Sequence, residues 1–498
     1  MKETFIQINP RDNVAVSLCE VMKGAQAAVG GRTYTVQDNI PMGHKIALQD
    51  FECGQEVIKY GVPIGHMTQP VKSGAWVHSH NLATNLKGLL EYSYTPAEKD
   101  NPPLCVCRDT FEGYRRQDGG VGTRNEIWII PTVSCVNTTV RKIAEKAGNK
   151  LAGLCDGVFA FPHNAGCSQL GDDFETTQQI LCSIIRHPNA GGVLLVSLGC
   201  ENNDLQHFLP VLGDYDHSRI KTMVTQDVDG DEVEEGIRLV EEIAETVSGD
   251  RRSQVPVSEL KIAYKCGGSD AFSGITANPL CGRITDRVVN LGGSGILTEV
   301  PEMFGAEALL MNRADSDETF HKVVELINSF KQYYMDYDQP IYENPSPGNK
   351  RGGITTLEEK SLGCIQKGGE AIITDTLRYG QKCTKPGLNL MIGPGNDSVS
   401  ITNLLASGAQ VLLFTTGRGN PLATAIPTIK VASNDRLSRR KSSWIDFNAG
   451  IILDGKSFTE TADELWELLL NVCSGKCRTK NEINDYREIM IFKNGVLL

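Results

Sequence analysis

Short apolar runs alternate with amphipathic stretches from about residue 111 to the end, and this alternation constrains the fold more than any other sequence feature. The runs EIWIIPTV, GGVLLVSLG, LKIAYKCGG and QVLLFTTG are separated by helix-like segments such as TTVRKIAEKAG. Parallel strands require crossover connections of this kind. The alternation therefore predicts two α/β units with mainly parallel sheets, at 111–255 and 256–498, which meet near the polar segment SGDRRSQVPVSE.

The first 95 residues have a different pattern, with short β-rich pieces separated by turn residues. One example is GGRTYTV, where Gly30 and Gly31 indicate a hairpin. The sequence predicts a small all-β domain at 1–95, followed by an acidic, proline-containing linker at 96–110. A chain of 498 residues is too long for one core, so the predicted fold class is multidomain α/β with this small β domain in front.

Charge and apolar content exclude several classes of function. The net charge of −12 and the lack of a long basic run argue against a nucleic-acid partner. No apolar run is long enough to span a bilayer, and MKETFIQINPRDN lacks the apolar region of a secretion signal. A cytoplasmic enzyme without a membrane partner is expected. The 15 cysteines, an odd number, are expected to be buried thiols or metal ligands.

The segment from Asn344 to Gly369, NPSPGNKRGGITTLEEKSLGCIQKGG, is the strongest candidate for a functional site. It has few aliphatic residues, so it is not expected in the core. Lys350 and Glu358 could transfer protons, and Cys364 could bind a metal. An exposed loop followed by a helical turn would have the same composition.

Two histidines close the β-rich region in WVHSHN. If this segment is a strand, alternation places His78 and His80 on one face, next to Asn81. Two imidazoles on one face could bind a metal or transfer protons. A pair of exposed histidines at a strand end is an equally good interpretation.

Several predicted strands end in cysteine and polar residues, which in open α/β sheets is where ligands bind. Cys167, Cys200 and Cys266 follow three such strands, and His163 precedes the first of them. Each alone is more often a buried thiol, but their repeated placement favours a site for a soft metal such as iron.

Two later strand ends, GPGNDSV and TTGRGNP, contain Asn396, Asp397 and Arg418, which could bind a carboxylate or hydroxyl groups. Ordinary turn chemistry accounts for the same residues. In TEVPEMFG, Glu299 and Glu302 could form an acid pair or a strand-to-helix corner.

Nine separated motifs resemble the altronate and galactarate dehydratase family, in the family order and nearly end to end. They are WVHSHN, GGVGTRNEIWIIPTVSCVN, PHNAGCSQLGDD, LGCENN, CGGSDAFSGITANP, LTEVPEMFGAE, QPIYENPSPGNKRGGITTLEEKSLGC, GPGNDSVS and FTTGRGNP. The resemblance implies an amino-terminal SAF-type β-clip domain, a middle α/β domain and a carboxyl-terminal α/β catalytic domain. It also implies dehydration of D-altronate to 2-dehydro-3-deoxy-D-gluconate in hexuronate breakdown, by a homodimer activated by Fe(II) or, alternatively, Mn(II).

That reaction removes a weakly acidic C2 proton and expels the C3 hydroxyl, so it needs a base, an acid and charge stabilisation by a metal. The hypothesis assigns proton transfer to His78, His80, Lys350 and Glu358. Substrate binding is assigned to Asn81, His163, Asn396, Asp397 and Arg418, and metal binding to Cys167, Cys200, Cys266 and Cys364. Four thiolates around one iron would be unusual, so three of them could instead hold an iron–sulfur cluster, or only one or two could bind the metal while the rest are structural. Galactarate or another sugar acid is the alternative substrate, and a sugar-acid-binding regulatory protein is the alternative class.

Overall fold

The computed structural model describes residues 4–97 and 108–498. Most of the predicted linker, together with Cys105 and Cys107, lies outside the described residues. Among the described residues, no helix is both long enough and apolar enough to cross a membrane.

The amino-terminal region contains strands and no α-helix among its described residues, as predicted. The strands are β1 (Phe5–Ile6), β2 (Val14–Ser17), β3 (Gln26–Val29), β4 (Arg32–Thr35), β5 (Lys45–Ala47), β6 (Glu56–Lys59), β7 (Val62–Met67), β8 (Trp76–Val77) and β9 (Leu82–Ala83). They form the antiparallel sheets β1-β2-β5-β8 and β6-β7-β9 and the hairpin β3-β4. The hairpin turns at Gly30 and Gly31, whose φ angles of 56° and 78° favour glycine.

The middle region alternates strands and helices. Its elements are β10 (Thr110–Arg115), β11 (Val121–Gly122), β12 (Glu126–Pro131), α1 (Asn137–Lys150), β13 (Val158–Ala160), α2 (Gly171–Ile185), β14 (Ala190–Ser197), α3 (Leu205–Leu212), β15 (Ile220–Val224), α4 (Glu232–Val247) and β16 (Ser253–Pro256). The parallel sheet has the order β13-β12-β14-β15, and a small antiparallel sheet has the order β11-β10-β16.

Strand β12 shows how one strand serves two cores. Ile127 and Ile129 belong to a core that contains α1 and α4 residues. Trp128 and Ile130 belong to a second core, to which α2 of the same region and Leu404 of the third region contribute. Because side chains alternate along a strand, β12 packs against α1 and α4 on one face and against α2 and the third region on the other.

The third region contains the largest sheet. Its elements are β17 (Lys261–Cys266), α5 (Ala277–Asn290), β18 (Ser294–Leu297), α6 (Glu307–Met311), α7 (Asp317–Asp336), α8 (Pro347–Arg351), α9 (Leu357–Cys364), β19 (Ile373–Leu377), β20 (Gly387–Met391), α10 (Asp397–Ala406), β21 (Val411–Thr416), β22 (Thr428–Ala432), α11 (Asp435–Arg440), β23 (Phe447–Asn448), α12 (Phe458–Cys473) and α13 (Lys480–Ile483).

The seven strands are parallel and have the order β19-β20-β18-β17-β21-β22-β23. The chain leaves β17 toward β18 on one side and later returns to β21 on the other. The carboxyl end of β17 is therefore the point at which the strand order reverses, and ligands bind at such points in open α/β sheets. Cys266 is the last residue of β17.

Candidate active site

Two thiols and one carboxylate meet at the carboxyl end of β17. The Cys266 Sγ lies 3.6 Å from the Cys364 Sγ, at the end of α9. Both thiols contact one oxygen of Glu302, Cys266 at 3.1 Å and Cys364 at 2.9 Å. All three side chains are buried, and their ligand atoms lie within 4.8 Å of one another. This geometry brings three metal-ligating atoms to the predicted crevice.

The carboxylate is placed by an unusual backbone turn between β18 and the 3₁₀ turn at 300–303. Glu299 has a φ of 71° and a ψ of 57°, the left-handed conformation that non-glycine residues rarely adopt. Such strain persists where the surroundings enforce it, often at functional sites. Here it directs both Glu299 and Glu302 toward β17.

Three lysines surround these acids. The Lys360 Nζ donates to Glu302 Oε1 at 2.7 Å. Lys265 pairs with Glu299 and, at 2.7 Å, with Asp397, while Lys367 lies 3.4 Å from Glu299. The sequence hypothesis assigned no role to these lysines.

The charges of the lysines and acids shift each other's pKa values. Burial raises the pKa of Glu302, but the ammonium groups of Lys360 and Lys265 more than offset this and hold it well below its usual range. Burial lowers the pKa of Lys360, but the Glu302 charge raises it above its usual value. The hydrogen bond with Cys266 and burial raise the pKa of the Cys364 thiol. Glu302 is therefore ionised, Lys360 is protonated, and Cys364 is a neutral thiol in the metal-free protein.

This charge state suits a divalent metal ion. Three ammonium groups already balance the carboxylates of Glu299, Glu302 and Asp397. If a divalent ion binds while the two thiols lose their protons, its two positive charges balance the two thiolates. The site then remains neutral, so the cost of burying charge stays small. Two thiols and one carboxylate are metal-ligating groups, so the residues present fit a divalent metal ion.

Helix α9 also carries two glutamates that bind the amino-terminal region. Glu359 accepts from Lys45 Nζ at 2.8 Å and from Lys59 Nζ at 2.7 Å, and all three side chains are at most 1% exposed. Glu358 accepts from Thr84 Oγ1 at 2.8 Å. The segment at 344–369 was expected outside the core, yet every residue of α9 is buried. Its charged residues are buried because other regions of the chain supply their partners.

The two predicted histidines do not share a strand face, because β8 ends at Val77 and a turn follows. His78 is buried, and burial followed by the charge of Lys45 lowers its pKa to about 3. His80 is exposed, with its ring centroid 5.0 Å from that of Trp76. Asn81 closes the turn, since its Oδ1 accepts from His78 N and its Nδ2 donates to Trp76 O.

This histidine cluster lies against the third region through a residue that the sequence hypothesis missed. The His44 Nε2 lies 3.3 Å from Arg351 O, and its Nδ1 accepts from Trp76 Nε1 at 3.2 Å. The ring centroid of His44 lies 4.6 Å from that of His78. His44 is not part of any recognised motif. It lies more than thirty residues before WVHSHN in the sequence, and only the fold brings the two together.

A polar cavity of roughly 850 Å³ lies between the amino-terminal and third regions. It is lined by Arg351, Arg418, Arg436, Arg440 and Lys441, together with Asp270 and Trp444. Asp270 also lines a small interior cavity that reaches Lys360 and Cys364. The large cavity is therefore basic and neighbours the thiol site.

The other predicted substrate-binding residues of the third region have separate positions. Asp397 is part of the charged cluster and also accepts from Asn420 Nδ2 at 2.7 Å. Asn396 caps α10 by accepting from Val399 N. Lys350 lies in α8 and is partly exposed.

Three predicted site residues lie in the middle region instead. His163 is buried, with Nε2 at 2.7 Å from Pro131 O and Nδ1 accepting from Ala165 N, and burial lowers its pKa to about 4. Cys167 and Cys200 are exposed. The four predicted thiol ligands thus lie in two places, with Cys266 and Cys364 together at the third sheet.

Similarity to known proteins covers all three regions. Residues 3–85 match the family described as altronate/galactarate dehydratase SAF domain. Residues 113–248 match the D-galactarate dehydratase/altronate hydrolase second domain, and residues 257–497 match the D-galactarate/altronate dehydratase C-terminal domain.

Whole-length relatives agree with these matches. The chain is 50% identical to an altronate dehydratase of Bacillus subtilis (strain 168), covering 100% of each chain. It is 48% identical to an altronate dehydratase of Escherichia coli (strain K12), covering 99% of this chain and 100% of the relative. It is 33% identical to a galactarate dehydratase (L-threo-forming) of E. coli (strain K12), covering 95% and 94%. The chain belongs to the altronate and galactarate dehydratase family.

Proposed function

We propose that this protein is a hydro-lyase that dehydrates D-altronate to 2-dehydro-3-deoxy-D-gluconate and water. The observation that carries the proposal is identity of 50% and 48% to two altronate dehydratases over the whole chain, against 33% to a galactarate dehydratase. The basic cavity beside the buried thiol site supports an anionic substrate of this kind.

Cys266, Glu302 and Cys364 would hold the metal ion. When bound, a divalent ion such as Fe(II) supplies Lewis-acid stabilisation of the negative charge that develops when the C2 proton leaves. Lys360 and Lys265 stay protonated beside Glu302 and Glu299, so they add fixed positive charge next to that position.

Arg418 is proposed to bind the substrate carboxylate, because its guanidinium lines the basic cavity and can form two parallel hydrogen bonds. His80 is proposed as the proton-transfer group of the histidine pair. Its ring is exposed, whereas His78 is buried with a pKa lowered to about 3, which makes His78 a weak base. Proton loss from C2, departure of the C3 hydroxyl as water and tautomerisation of the enol give the 2-keto acid.

The substrate is tested by measuring 2-keto acid formed from a panel of aldonic and aldaric acids. The metal is tested by removing it with a chelator and adding back Fe(II) or Mn(II) before the assay. D-altronate with Fe(II) should give the highest kcat/KM. A preference for galactarate would reassign the substrate within the family, and ligand-induced stabilisation without turnover of any acid would favour a binding protein.

Matched variants test the residues. Cys364→Ser should lose bound metal and turnover, whereas Cys281→Ala, which alters a buried thiol outside the site, should retain both. His80→Ala should lower kcat, with the exposed His321→Ala as its control. Unchanged turnover in His80→Ala would remove His80 from the mechanism.

A further inference from the structure

Three thiols lie together at a second sheet edge, away from the residues used above. Cys135, Cys167 and Cys200 follow the carboxyl ends of β12, β13 and β14, which are neighbours in the order β13-β12-β14. Because the strands are parallel, the three loops emerge at one edge. All three thiols are exposed, whereas Cys266, Cys281 and Cys364 are buried.

The loop that carries Cys167 is held against the end of β12. Ser134 N donates to Ala165 O at 3.0 Å. Gly166 has a φ of 98°, and a Cβ at that position would lie 2.0 Å from Thr132 O. Only glycine permits so close an approach of two backbones. The approach places Cys167 beside Cys135.

The loop that carries Cys200 is attached to both others. Thr132 Oγ1 donates to Glu201 Oε1 at 2.6 Å, and Asn203 Nδ2 donates to Thr132 O at 2.9 Å. Asn202 Nδ2 donates to Gln169 O at 2.7 Å. Side chains next to Cys200 therefore fix its loop to the other two.

The effect of neighbouring thiols on the pKa of Cys135 agrees with this placement. Burial, followed by the proximity of Cys167 and Cys200, raises the pKa of the Cys135 thiol. Gln226 Nε2 lies 3.4 Å from the Cys200 Sγ and donates to it. Hydrogen bonds of this kind to sulfur tune iron–sulfur centres.

The spacing of the thiols distinguishes one ion from a cluster. A single tetrahedral ion with metal–sulfur bonds of about 2.3 Å brings thiolates to roughly 3.8 Å from one another. Among the described residues, only Cys266, Glu302 and Cys364 form a group of three or more ligands within 4.8 Å. Cys135, Cys167 and Cys200 do not form such a group, so at least one pair of their sulfurs lies more than 4.8 Å apart. This spacing is compatible with a polynuclear centre rather than one ion.

We propose that Cys135, Cys167 and Cys200 bind a [4Fe–4S] cluster in the middle region, separate from the metal site at Cys266. Three iron–sulfur bonds form as three thiol protons leave to solvent. Two ferric ions, two ferrous ions and four sulfides supplied during assembly make up the core, so its formation needs no separate oxidant. One iron keeps no cysteine ligand and is open to an oxygen ligand. A cavity of roughly 310 Å³ lies next to this loop group and is lined by Ser134, Cys167 and Lys493.

The test is anaerobic purification of the full chain, reconstitution with ferrous iron, ferric iron and sulfide, and measurement of iron and acid-labile sulfide after desalting. The cluster predicts about four sulfides per chain, a broad absorption band in the visible range and a paramagnetic signal after reduction. Cys135→Ser and Cys200→Ser should lose the sulfide. Cys364→Ser should keep the sulfide of the cluster but lose the metal ion bound at Cys266, Glu302 and Cys364.

Alkylation of thiols, followed by mass spectrometry, gives a second readout that does not depend on folding of variants. Cys135, Cys167 and Cys200 should be labelled in the apo protein and protected after reconstitution, whereas the exposed Cys53 should be labelled in both. Absence of sulfide from the reconstituted protein, or its retention in Cys135→Ser, would overturn the proposal. Altronate turnover is measured separately, so failure of the cluster leaves the proposed reaction untouched.

Discussion

Replacing Glu359 by Gln should loosen the amino-terminal region from the rest of the chain. In the native protein this one carboxylate balances two fully buried ammonium groups, those of Lys45 and Lys59. Burial already lowers the pKa of Lys45 to about 8, although the Glu359 charge opposes the shift. Without that charge, two buried cations lose their counterion.

The size of the destabilisation depends on which hydrogen bonds of Glu359 a glutamine side chain can keep. Glu359 Oε2 also accepts from Thr355 N at 2.8 Å and from Thr355 Oγ1 at 2.6 Å, and the amide oxygen of glutamine can keep both bonds. The loss is therefore chiefly the charge, and removing one partner of a buried ion pair costs about 3–5 kcal/mol. At 1.36 kcal/mol for each factor of ten, local opening should become roughly 150- to 5000-fold more frequent.

Hydrogen exchange measured by mass spectrometry reports this opening, because it resolves separate regions of a multidomain chain. Peptides spanning 45–67 should exchange faster in Glu359→Gln, while peptides from β12 and β14 should not change. The penalty should shrink as pH rises from 7 toward 10. A folded-state pKa below the unfolded value makes stability rise with pH. Because the Glu359 charge raises the pKa of Lys45, its removal lowers that pKa further, so the variant gains more stability than the native protein as Lys45 loses its proton.

Asp50→Asn is the matched control, because it breaks the exposed Lys72–Asp50 pair in the same region. Exposed pairs contribute little, so exchange should be unchanged in this variant. If Glu359→Gln left exchange of residues 45–67 within threefold of the native protein, the buried carboxylate would not hold the regions together.

Three further predictions concern stability and metal content. His187 is buried with its pKa lowered to about 3, so the native state does not take up the proton that the unfolded state binds below pH 6.5. Stability should fall by about 2.7 kcal/mol between pH 7.5 and 4.5 from this residue, and His187→Gln should flatten the pH dependence in urea titrations. Arg124 binds Glu482 through two nitrogens at 2.6 and 3.0 Å, and Arg124→Lys should cost about 1.5–3 kcal/mol in the same titrations because lysine cannot form both bonds. An unchanged midpoint would contradict that assignment. In sulfide-free protein, which carries no cluster, Cys266→Ser should weaken Fe(II) binding measured by equilibrium dialysis at least tenfold, and Cys473→Ser, which alters another buried thiol, should leave it unchanged.

Local sequence patterns predicted the architecture well. Alternation of apolar runs and amphipathic segments predicted the parallel sheets, and the alternation within EIWIIP divides β12 between two cores as strand geometry requires. The strand order β19-β20-β18-β17-β21-β22-β23 was not predictable. It depends on which strands pair across long separations, and apolar runs of similar composition do not specify their neighbours.

The candidate site was predicted in its residue types and misjudged in its environment. The composition of the segment at 344–369 predicted a position outside the core, yet every residue of its helix α9 is buried. Glu359 pairs with lysines some three hundred positions earlier, and Lys360 pairs with Glu302. A helix rich in charged residues is expected to be exposed unless its side chains form ion pairs with residues from elsewhere in the folded chain. The sequence alone does not show which distant residues form those pairs.

Cys167, Cys200 and Cys266 all follow apolar strands, and the sequence offered no means of separating them. The structure separates them by sheet: the first two end strands of the four-stranded sheet with Cys135, and the third ends β17 of the seven-stranded sheet. The surroundings differ accordingly. Cys266 is buried among three lysines and three carboxylates, which suits one divalent ion, whereas Cys135, Cys167 and Cys200 are exposed. A cysteine at a strand end is therefore only a candidate metal ligand in the sequence, because the sheet that its strand joins determines which groups surround it.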